Sequence, residues 1–498
     1  MVRAGRYRVH RFISVGLGAL AVLLLGAPTM APAGPRSFGF TKGVVAGSDI
    51  DRATTLQFGP DGRLYVGQQN GLIKILTVVR HGPGSYEAVA SETVGGLVDL
   101  PNHDDDGKEN ARYVGRLLTG LVVSGTADRP VIHSVTTDPR IGGGQKKVDR
   151  NLDTNSGILS RLTWDGGQWQ RLDLVRGLPR SEENHAGNGL VFDSDGNLLL
   201  AQGGNTNNGA PSEQFVLIPE FALSAAILSI DLAAIGETTY DLPTLDDPAR
   251  PGPDDAGDPF GGADGRNQAR LVPGGPVQVY APGFRNAYDL VRTADGQLFT
   301  VDNGPNPDFG DVPEARAGKC TNEVRPGGKK EVDSLHQVKR GTYGGHPNPT
   351  RANPENTFAG QSPVTEADPE QCEYRTGADA GALATFTAST NGITEYTSQA
   401  AFDGALAGNL LVASFDNTIY RLEVRPDGEL GDAEALFEGV ASVPLDVTAQ
   451  GDDDHFPGTV WVGDVTDGSI TVFEPPSRPR VRHHGGPERR PVGQPART

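Results

Sequence analysis

The sequence predicts an all-β protein, a six-bladed β-propeller with long loop insertions. Short apolar runs flank Asp-Gly turns at 61–62, 195–196 and 295–296, and each such unit predicts a hairpin. A further apolar run follows several of these hairpins, so a small antiparallel sheet recurs along the chain. The 67 glycines, the 37 prolines and the lack of long amphipathic helical runs favour many short strands. Since one such sheet cannot cover both its faces, the sheets are expected to stack as blades around an axis.

The propeller is placed at residues 45–474, after a lead-in segment at 35–47. Two segments, 236–275 and 345–380, lack periodicity and are predicted to be long loops. The blades predicted in chain order are about 48–98, 111–175, 184–231, from 277 onward, 381–425 and 434–474.

The two termini are predicted to lie outside the propeller. Residues 1–34 combine four arginines, an apolar stretch from Phe12 to Gly26 and the small residues Ala31-Pro32-Ala33, which is typical of a cleaved signal peptide. A membrane anchor is the alternative, but the apolar stretch is short and interrupted by glycines. Residues 475–498 are rich in proline and arginine without apolar periodicity, and we expect a disordered tail.

Charge and cysteine content limit the partners and the compartment. A formal net charge of −19 argues against a nucleic-acid partner, and acidic loops suit hard cations such as calcium. Export implies a secreted or periplasmic protein in an oxidising compartment, with no membrane span after cleavage. The chain has two cysteines, Cys320 and Cys372, both in predicted loop segments. We expect them to form one disulfide that pins a loop insertion; two free thiols are the alternative.

Three polar motifs occur in order along this pattern. They are Glu183-Asn184-His185, Gly283-Phe284-Arg285-Asn286, and Asn303-Gly304-Pro305-Asn306 with the later Tyr343-Gly344-Gly345-His346-Pro347. Together they resemble the glucose/sorbosone dehydrogenase family. Its members are secreted or periplasmic six-bladed propellers that use pyrroloquinoline quinone (PQQ) and calcium. The resemblance covers roughly residues 45–474.

The resemblance implies a role for each motif. His185 matches the general base that takes a sugar hydroxyl proton while hydride passes to the quinone. Arg285 matches the arginine at the quinone carbonyls, and Asn286 its neighbouring cofactor contact. Gly304 and Pro305 match backbone carbonyl ligands of calcium. The chemistry agrees in kind, since histidine is a base near neutral pH and arginine is a fixed cation for developing negative charge.

The sequence also departs from the family pattern. The residue before the base is often acidic there and helps to bind sugar; here it is Asn184, our candidate for substrate binding. The segment Ser414-Phe415-Asp416-Asn417 has an acid where the family has basic side chains for the quinone carboxylates. Arg116 is the candidate that could supply the missing positive charge.

These residues leave several interpretations open. The leading hypothesis is a PQQ- and calcium-dependent dehydrogenase of a sugar, with an unidentified electron acceptor. The alternative is a non-catalytic carbohydrate- or protein-binding propeller that has lost the quinone pocket; a third is a calcium-dependent lactonase-type propeller. Arg285 could instead tie blades together through backbone carbonyls. Asp302, Asn303 and Asp333 could be calcium ligands or turn caps.

Overall fold

The computed structural model describes residues 38–104, 107–142, 144–245, 268–316, 318–425 and 430–477. The predicted signal peptide at 1–34 and residues 478–498 of the predicted tail lie outside these ranges. Across the described ranges, no helix has the length and apolar character needed to cross a bilayer.

Within these ranges the strands form six four-stranded blades, each with its first strand innermost. Blade 1 contains Ala53–Phe58, Leu64–Gln68, Ile73–Gly82 and Ser85–Val94. Blade 2 contains Leu117–Thr126, Arg129–Thr137, Gly157–Trp164 and Trp169–Leu178. Blade 3 contains Gly187–Phe192, Leu198–Gln202, Ala226–Ile230 and Val277–Pro282. Blade 4 contains Ala287–Arg292, Leu298–Asp302, Asp333–Val338 and Ala384–Phe386. Blade 5 contains Thr390–Tyr396, Asn409–Ser414, Thr418–Leu422 and Glu434–Glu438. Blade 6 contains Pro444–Ala449, Val460–Asp464, Ile470–Glu474 and, as its outer strand, Thr41–Ala46.

The blades close into a ring. Each innermost strand contacts the innermost strands of the two neighbouring blades, and the innermost strand of blade 6 contacts that of blade 1. Thr41–Ala46 pairs antiparallel with Ile470–Glu474 and, at Val45 and Ala46, parallel with blade 1. The first described strand therefore completes the last blade and joins it to the first. The predicted six-bladed β-propeller is confirmed.

Apolar side chains lie between the blades. Each of six buried clusters within the described ranges joins one neighbouring pair of blades. Between blades 6 and 1, for example, Trp461 packs edge-on against Phe58 and Tyr86. Because every blade buries both faces against its neighbours, the ring holds the loops at its ends in fixed positions.

Several outer strands belong to a different blade from the one predicted. Val277–Pro282 pairs with Ala226–Ile230 and ends blade 3, although the sequence predicts it as the first strand of blade 4. Likewise Glu434–Glu438 pairs with Thr418–Leu422 and ends blade 5, and Ala384–Phe386 ends blade 4. An outer strand is followed directly by the next inner strand, so chain spacing alone does not show with which blade it pairs.

Shorter elements occupy the loops. Leu232–Ile235 and Pro349–Ala352 are single helical turns. Strand pairs of two residues are Tyr240–Asp241 against blade 2, Thr244–Leu245 with Gln268–Ala269, and Ala315–Arg316 with Lys319–Cys320. The 3₁₀ turns are Glu213–Phe215, Pro369–Cys372, Gly377–Ala380 and Ala401–Gly404. Cys320 and Cys372 form a disulfide with their Cα atoms 5.5 Å apart, which joins the two long loops of blade 4.

Candidate functional site

The repeated strand order brings distant loops to one end of the ring. In every blade the segment before the first strand and the link between the second and third strands open at the same end, because consecutive strands are antiparallel. In blades 3 and 4 these segments contain the first two motifs and residues 303–306 of the third, whereas residues 343–347 lie in the link between the third and fourth strands of blade 4. The segment before blade 5 adds Ser389.

These segments surround a cleft of about 300 Å³. Six residues predicted to form the site line it together: Asn184, His185, Arg285, Asn286, Gly304 and Pro305. Glu183 and Asp333, which were also named from the sequence, line the cleft as well. Lining residues that sequence reasoning did not select are Phe215, Phe309, Lys330, Glu331 and Ser389.

His185 is held in a single tautomer. Its Nδ1 lies 2.9 Å from the carbonyl oxygen of Gly204, so this nitrogen carries the proton and donates it. Nε2 is left with its lone pair. Burial lowers the pKa of His185 well below 6.5, and the positive charge of Arg285 lowers it further. The imidazole is therefore neutral at pH 7 and can accept a proton at Nε2.

Arg285 is a buried cation fixed by a neighbouring loop. Its Nε and Nη2 donate to the carbonyl oxygen and the Oδ1 of Asn207, each at 3.0 Å. Burial lowers its pKa, while the carboxylates of Asp302 and Glu183 act in the opposite direction. A guanidinium has five N–H donors, so donors remain for a ligand in the cleft. The contacts to Asn207 also serve the structural role considered in the sequence analysis.

Asn286 and Asp302 form the turn that carries Arg285. The carboxylate of Asp302 accepts the backbone N–H of Asn286 at 2.7 Å and that of Arg285 at 3.0 Å. The side chain of Asn286 donates to Asn303 Oδ1 at 3.0 Å. Burial raises the pKa of Asp302 to about 7. Asp302 is thus a turn cap, one of the two roles considered for it.

Gly304 is required by a close backbone approach. A Cβ at this position would lie 2.6 Å from the carbonyl oxygen of Val332. Its N–H donates to Asp333 at 2.8 Å, and Asp333 also accepts from Asn303 and from the N–H of Thr390. Asp333 therefore caps this turn as well, and the loop presents peptide groups to the cleft.

A divalent cation here would have to use main-chain oxygens. Among the described residues, no group of three or more His, Cys, Asp or Glu side chains is arranged to hold a metal ion. The Pro305 carbonyl accepts one N–H, from Glu331 at 3.2 Å, and an oxygen with two lone pairs keeps one for a further partner. Carbonyl oxygens are suitable calcium ligands. The Gly304-Pro305 segment thus fits a hard cation that shares its other ligands with a bound molecule.

The titratable side chains of the cleft partly fit an anionic cofactor. Arg285 and Lys330 are its cations, and Glu183, Glu331 and Asp333 are its acids. Two cations do not balance a ligand that bears several carboxylates in the presence of three acids. A bound divalent cation would reduce this excess of negative charge.

Glu183 and Asn184 precede His185 and differ in exposure. Asn184 is exposed, whereas Glu183 is 8% exposed, with its pKa raised by burial and held back by Arg285 and Arg180. Within the described part of the chain, no hydrogen bond reaches the Glu183 carboxylate. A partly dehydrated acceptor in a cleft suits the hydroxyl group of a ligand.

Arg116 does not reach the cleft, contrary to the prediction that it supplies cofactor charge. It is fully buried, and its guanidinium donates to Asn102 Oδ1 at 2.8 Å and to the carbonyl oxygens of Pro101, Thr136 and Ser156. Burial lowers its pKa to about 10. Arg116 ties the loops around blade 2 together through Nη1 and Nη2, whereas its buried Nε has no hydrogen-bond partner among the described residues.

The site includes residues that sequence reasoning missed. Lys330 and Glu331 reach the cleft from a long loop of blade 4, and nothing in their local pattern shows which end of the ring that loop covers. Phe215 lies with its ring 5.6 Å from that of His185. Behind the cleft, Glu220 pairs with His346 at 2.9 Å. The motif at 343–347 was a usable signal for His346, but it gave no signal for Glu220.

Comparisons with known proteins support the fold. No known family profile matches the sequence, and no curated protein matches it. The calcium structure of the carbohydrate-active enzyme of family AA12 from Trichoderma reesei is 12% identical, covers 88% of this chain and 96% of its own, and has a TM-score of 0.50. The PQQ-bound aldose sugar dehydrogenase from Streptomyces coelicolor is 16% identical, with coverages of 87% and 98% and a TM-score of 0.46. The apo-form of the soluble aldose sugar dehydrogenase from Escherichia coli is 14% identical, with coverages of 88% and 100% and a TM-score of 0.49.

At such identities the similarity concerns the fold and not the chemistry. The Trichoderma reesei structure supports it over most of the length of both chains. The six blades and their closure agree with the fold implied by the three motifs. The predicted resemblance is therefore confirmed at the level of the fold: this chain has a glucose/sorbosone dehydrogenase-like β-propeller fold.

Proposed function

We propose that this protein is a secreted or periplasmic dehydrogenase that oxidises a sugar hydroxyl, with PQQ as the hydride acceptor and calcium beside it. The observation that carries the proposal is the pairing in one cleft of a neutral histidine with a fixed arginine cation. His185 is held with Nε2 unprotonated, and Arg285 is held by Asn207. The calcium structure of the carbohydrate-active enzyme from Trichoderma reesei, which has this fold, supports a carbohydrate substrate and a calcium site.

The residues of this chain would act on the proton and the charge. His185 accepts the hydroxyl proton of the sugar at Nε2 as the carbon–hydrogen bond breaks. Arg285 would stabilise the negative charge that grows on the acceptor, since a guanidinium remains charged throughout. Bound PQQ would supply a two-electron hydride acceptor. Arg285 and Lys330 would face its carboxylates, and the Gly304 and Pro305 carbonyls would contribute to the calcium site.

The proton leaves His185 easily after the reaction. The same burial and the same arginine charge that lower its pKa make the imidazolium a strong acid. It therefore returns the proton to solvent or to the electron acceptor, and the neutral base is restored. Two residues of the same cleft would bind the other sugar hydroxyls. The Glu183 carboxylate would accept hydrogen bonds from them, and the Asn184 amide would accept or donate.

Reconstitution tests this proposal. Mature protein is incubated with PQQ and calcium, quinone binding is measured by calorimetry, and reduction of a dye is followed with a panel of aldoses. We expect sugar-dependent reduction, and His185→Ala should lower its rate by roughly 10²- to 10⁴-fold while retaining quinone binding. His336→Gln is the matched control, because His336 is a buried histidine outside the cleft. Absence of both quinone binding and dye reduction in the parent protein would contradict the proposal.

The second candidate is a non-catalytic carbohydrate- or protein-binding propeller. It is favoured by the acid-rich lining of the cleft and by the loop of Asp416 and Asn417, which supplies no basic side chain. This candidate predicts sugar or protein binding without redox activity and with little effect of His185→Ala on that binding. The same calorimetry, performed with sugars in the absence of quinone, separates the two candidates.

A further inference from the structure

A buried carboxylate lies behind the cleft without lining it. Glu220 is fully buried, and its two oxygens accept hydrogen bonds from five donors. The N–H of Asn205 donates at 3.0 Å, the N–H and hydroxyl of Thr206 at 2.8 and 2.6 Å, and His346 Nε2 at 2.9 Å. The hydroxyl of Ser224 is the fifth donor. Glu220 thus fixes the peptide N–H groups of Asn205 and Thr206, at the centre of the segment 203–208.

The segment 203–208 in turn holds both reacting groups of the cleft. The carbonyl oxygen of Gly204 accepts the Nδ1 proton of His185 at 2.9 Å. Three residues later, Asn207 accepts two hydrogen bonds from Arg285. Backbone bonds join the same segment to both loops, since Gly204 N–H donates to the Arg285 carbonyl at 2.7 Å and Gly203 N–H to the Ala186 carbonyl at 2.8 Å. The spacing between the base and the cation is therefore set by one short loop.

The charge of Glu220 explains why this loop can be rigid. Hydrogen bonds from His346, Ser224 and Thr206 outweigh burial and lower the pKa of Glu220 to about 2, so it is ionised. Bonds to a charged acceptor are shorter and stronger than those between neutral groups. Burial lowers the pKa of His346, which therefore serves as a neutral donor. Arg351, also buried, is a nearby cation and accounts for part of the charge balance.

We propose that Glu220 is a positioning residue for His185: by fixing the segment 203–208 it holds the Gly204 carbonyl against Nδ1 and so selects the tautomer that leaves Nε2 free. The catalytic meaning of this inference rests on the proposed function. The tautomer itself can be measured in the protein without cofactor or substrate, so the two can fail separately.

The test uses Glu220→Gln and histidine-selective ¹⁵N NMR. The amide keeps the size of the side chain but places an NH₂ group where donors now converge, so it cannot accept all five bonds. We expect the single Nδ1–H signature of His185 in the parent protein to become a mixture of tautomers in the variant. The chain has ten histidines, and loss of one signal set in His185→Ala assigns the resonance.

Asp464→Asn is the matched control. Asp464 is another fully buried carboxylate that fixes a loop, accepting the N–H groups of Val443, Thr466 and Asp467, but it lies in blade 6 and does not line the cleft. Asp464→Asn should lower the free energy of unfolding and leave the NMR signals of His185 unchanged. If Glu220→Gln does not fold, Thr206→Val replaces it, since this change deletes one donor to Glu220 and keeps the backbone N–H.

The outcomes decide between the inference and the proposed function. A folded Glu220→Gln or Thr206→Val variant with the parent spectrum of His185 overturns the inference, even if the parent protein is an active dehydrogenase. A tautomer mixture in the variant, confined to His185 and absent from Asp464→Asn, supports it even if no sugar is oxidised. In active protein we expect kcat to fall roughly tenfold to a hundredfold in Glu220→Gln, with KM for sugar nearly unchanged.

Discussion

Arg116 and Arg285 occupy matching positions in two blades, but their side chains have different roles. Each lies just before an innermost strand, at the same end of the ring, and each is at most 5% exposed. The guanidinium of Arg116 meets three carbonyl oxygens and one amide oxygen from the loops of blade 2. That of Arg285 is held mainly by Asn207 and lines the cleft. The difference lies in the loops that cover each blade. The loops around blade 2 enclose Arg116 and give it a structural role. The loops around blade 4 leave a cleft, in which Arg285 keeps N–H donors for a ligand.

Of the two arginines, Arg285 should give the larger loss of turnover when it is replaced by methionine. Removing the cation deletes the donors that would stabilise negative charge on the acceptor, so turnover should fall roughly 10²- to 10³-fold. Dye reduction by protein reconstituted with PQQ and calcium measures this loss. If Arg285→Met retains turnover within a few-fold of the parent protein, Arg285 has no functional role that distinguishes it from Arg116.

The same substitution at Arg116 should lower stability and leave turnover nearly unchanged. Arg116→Met leaves buried carbonyl oxygens without donors, each costing about 1–3 kcal/mol, so we expect the free energy of unfolding to fall by about 3 kcal/mol or more. Turnover per folded molecule should stay near that of the parent protein. Urea unfolding measures the first quantity and dye reduction the second. A loss of quinone affinity in folded Arg116→Met would instead return Arg116 to the cofactor site.

The sequence predicted the ring more completely than the site. Asp-Gly turns between apolar runs identify the first two strands of a blade, because turn chemistry and alternation are local. The partner of an outer strand such as Val277–Pro282 is not local, and its blade was wrongly assigned. The motif residues His185 and Arg285 could be selected by their type and order. The segment 203–208 holds both residues, and Glu220 lies behind it. These contacts join residues that are distant in the sequence, so no local pattern predicts them.

A smaller effect concerns the buried acids beside the two arginines. Burial raises the pKa of Asp153, near Arg116, to about 7, as it does for Asp302 beside Arg285. A folded-state pKa above the unfolded value of about 3.8 means that the contribution of this group is full below about pH 4 and is lost as the pH rises towards 7. Asp153→Asn should therefore flatten the decline in stability by about 1.4 kcal/mol per pH unit in that window.

Urea unfolding at several pH values between 4 and 8 measures this slope. Asp128→Asn, an exposed aspartate of the same blade, is the control and should follow the parent curve. Should Asp153→Asn keep the slope of the parent protein, the aspartate would be ionised in the fold. Arg116 would then belong to a buried ion pair, and its closed loops would no longer explain its role by themselves.

The smallest effect is expected at Lys330, the second cation of the cleft. Lys330 is exposed, whereas Arg285 is buried and held by two bonds to Asn207. An exposed charge is screened by water and salt, and its interaction is worth at most about 1 kcal/mol. Lys330→Ala should therefore weaken PQQ binding about fivefold or less at low salt, with the difference disappearing near 1 M salt. Calorimetry at the two salt concentrations measures it, with Lys329→Ala as the neighbouring control. A larger loss that persists in salt would show that the loop closes over the cofactor and buries Lys330, so that the cleft, like blade 2, is closed by its loops.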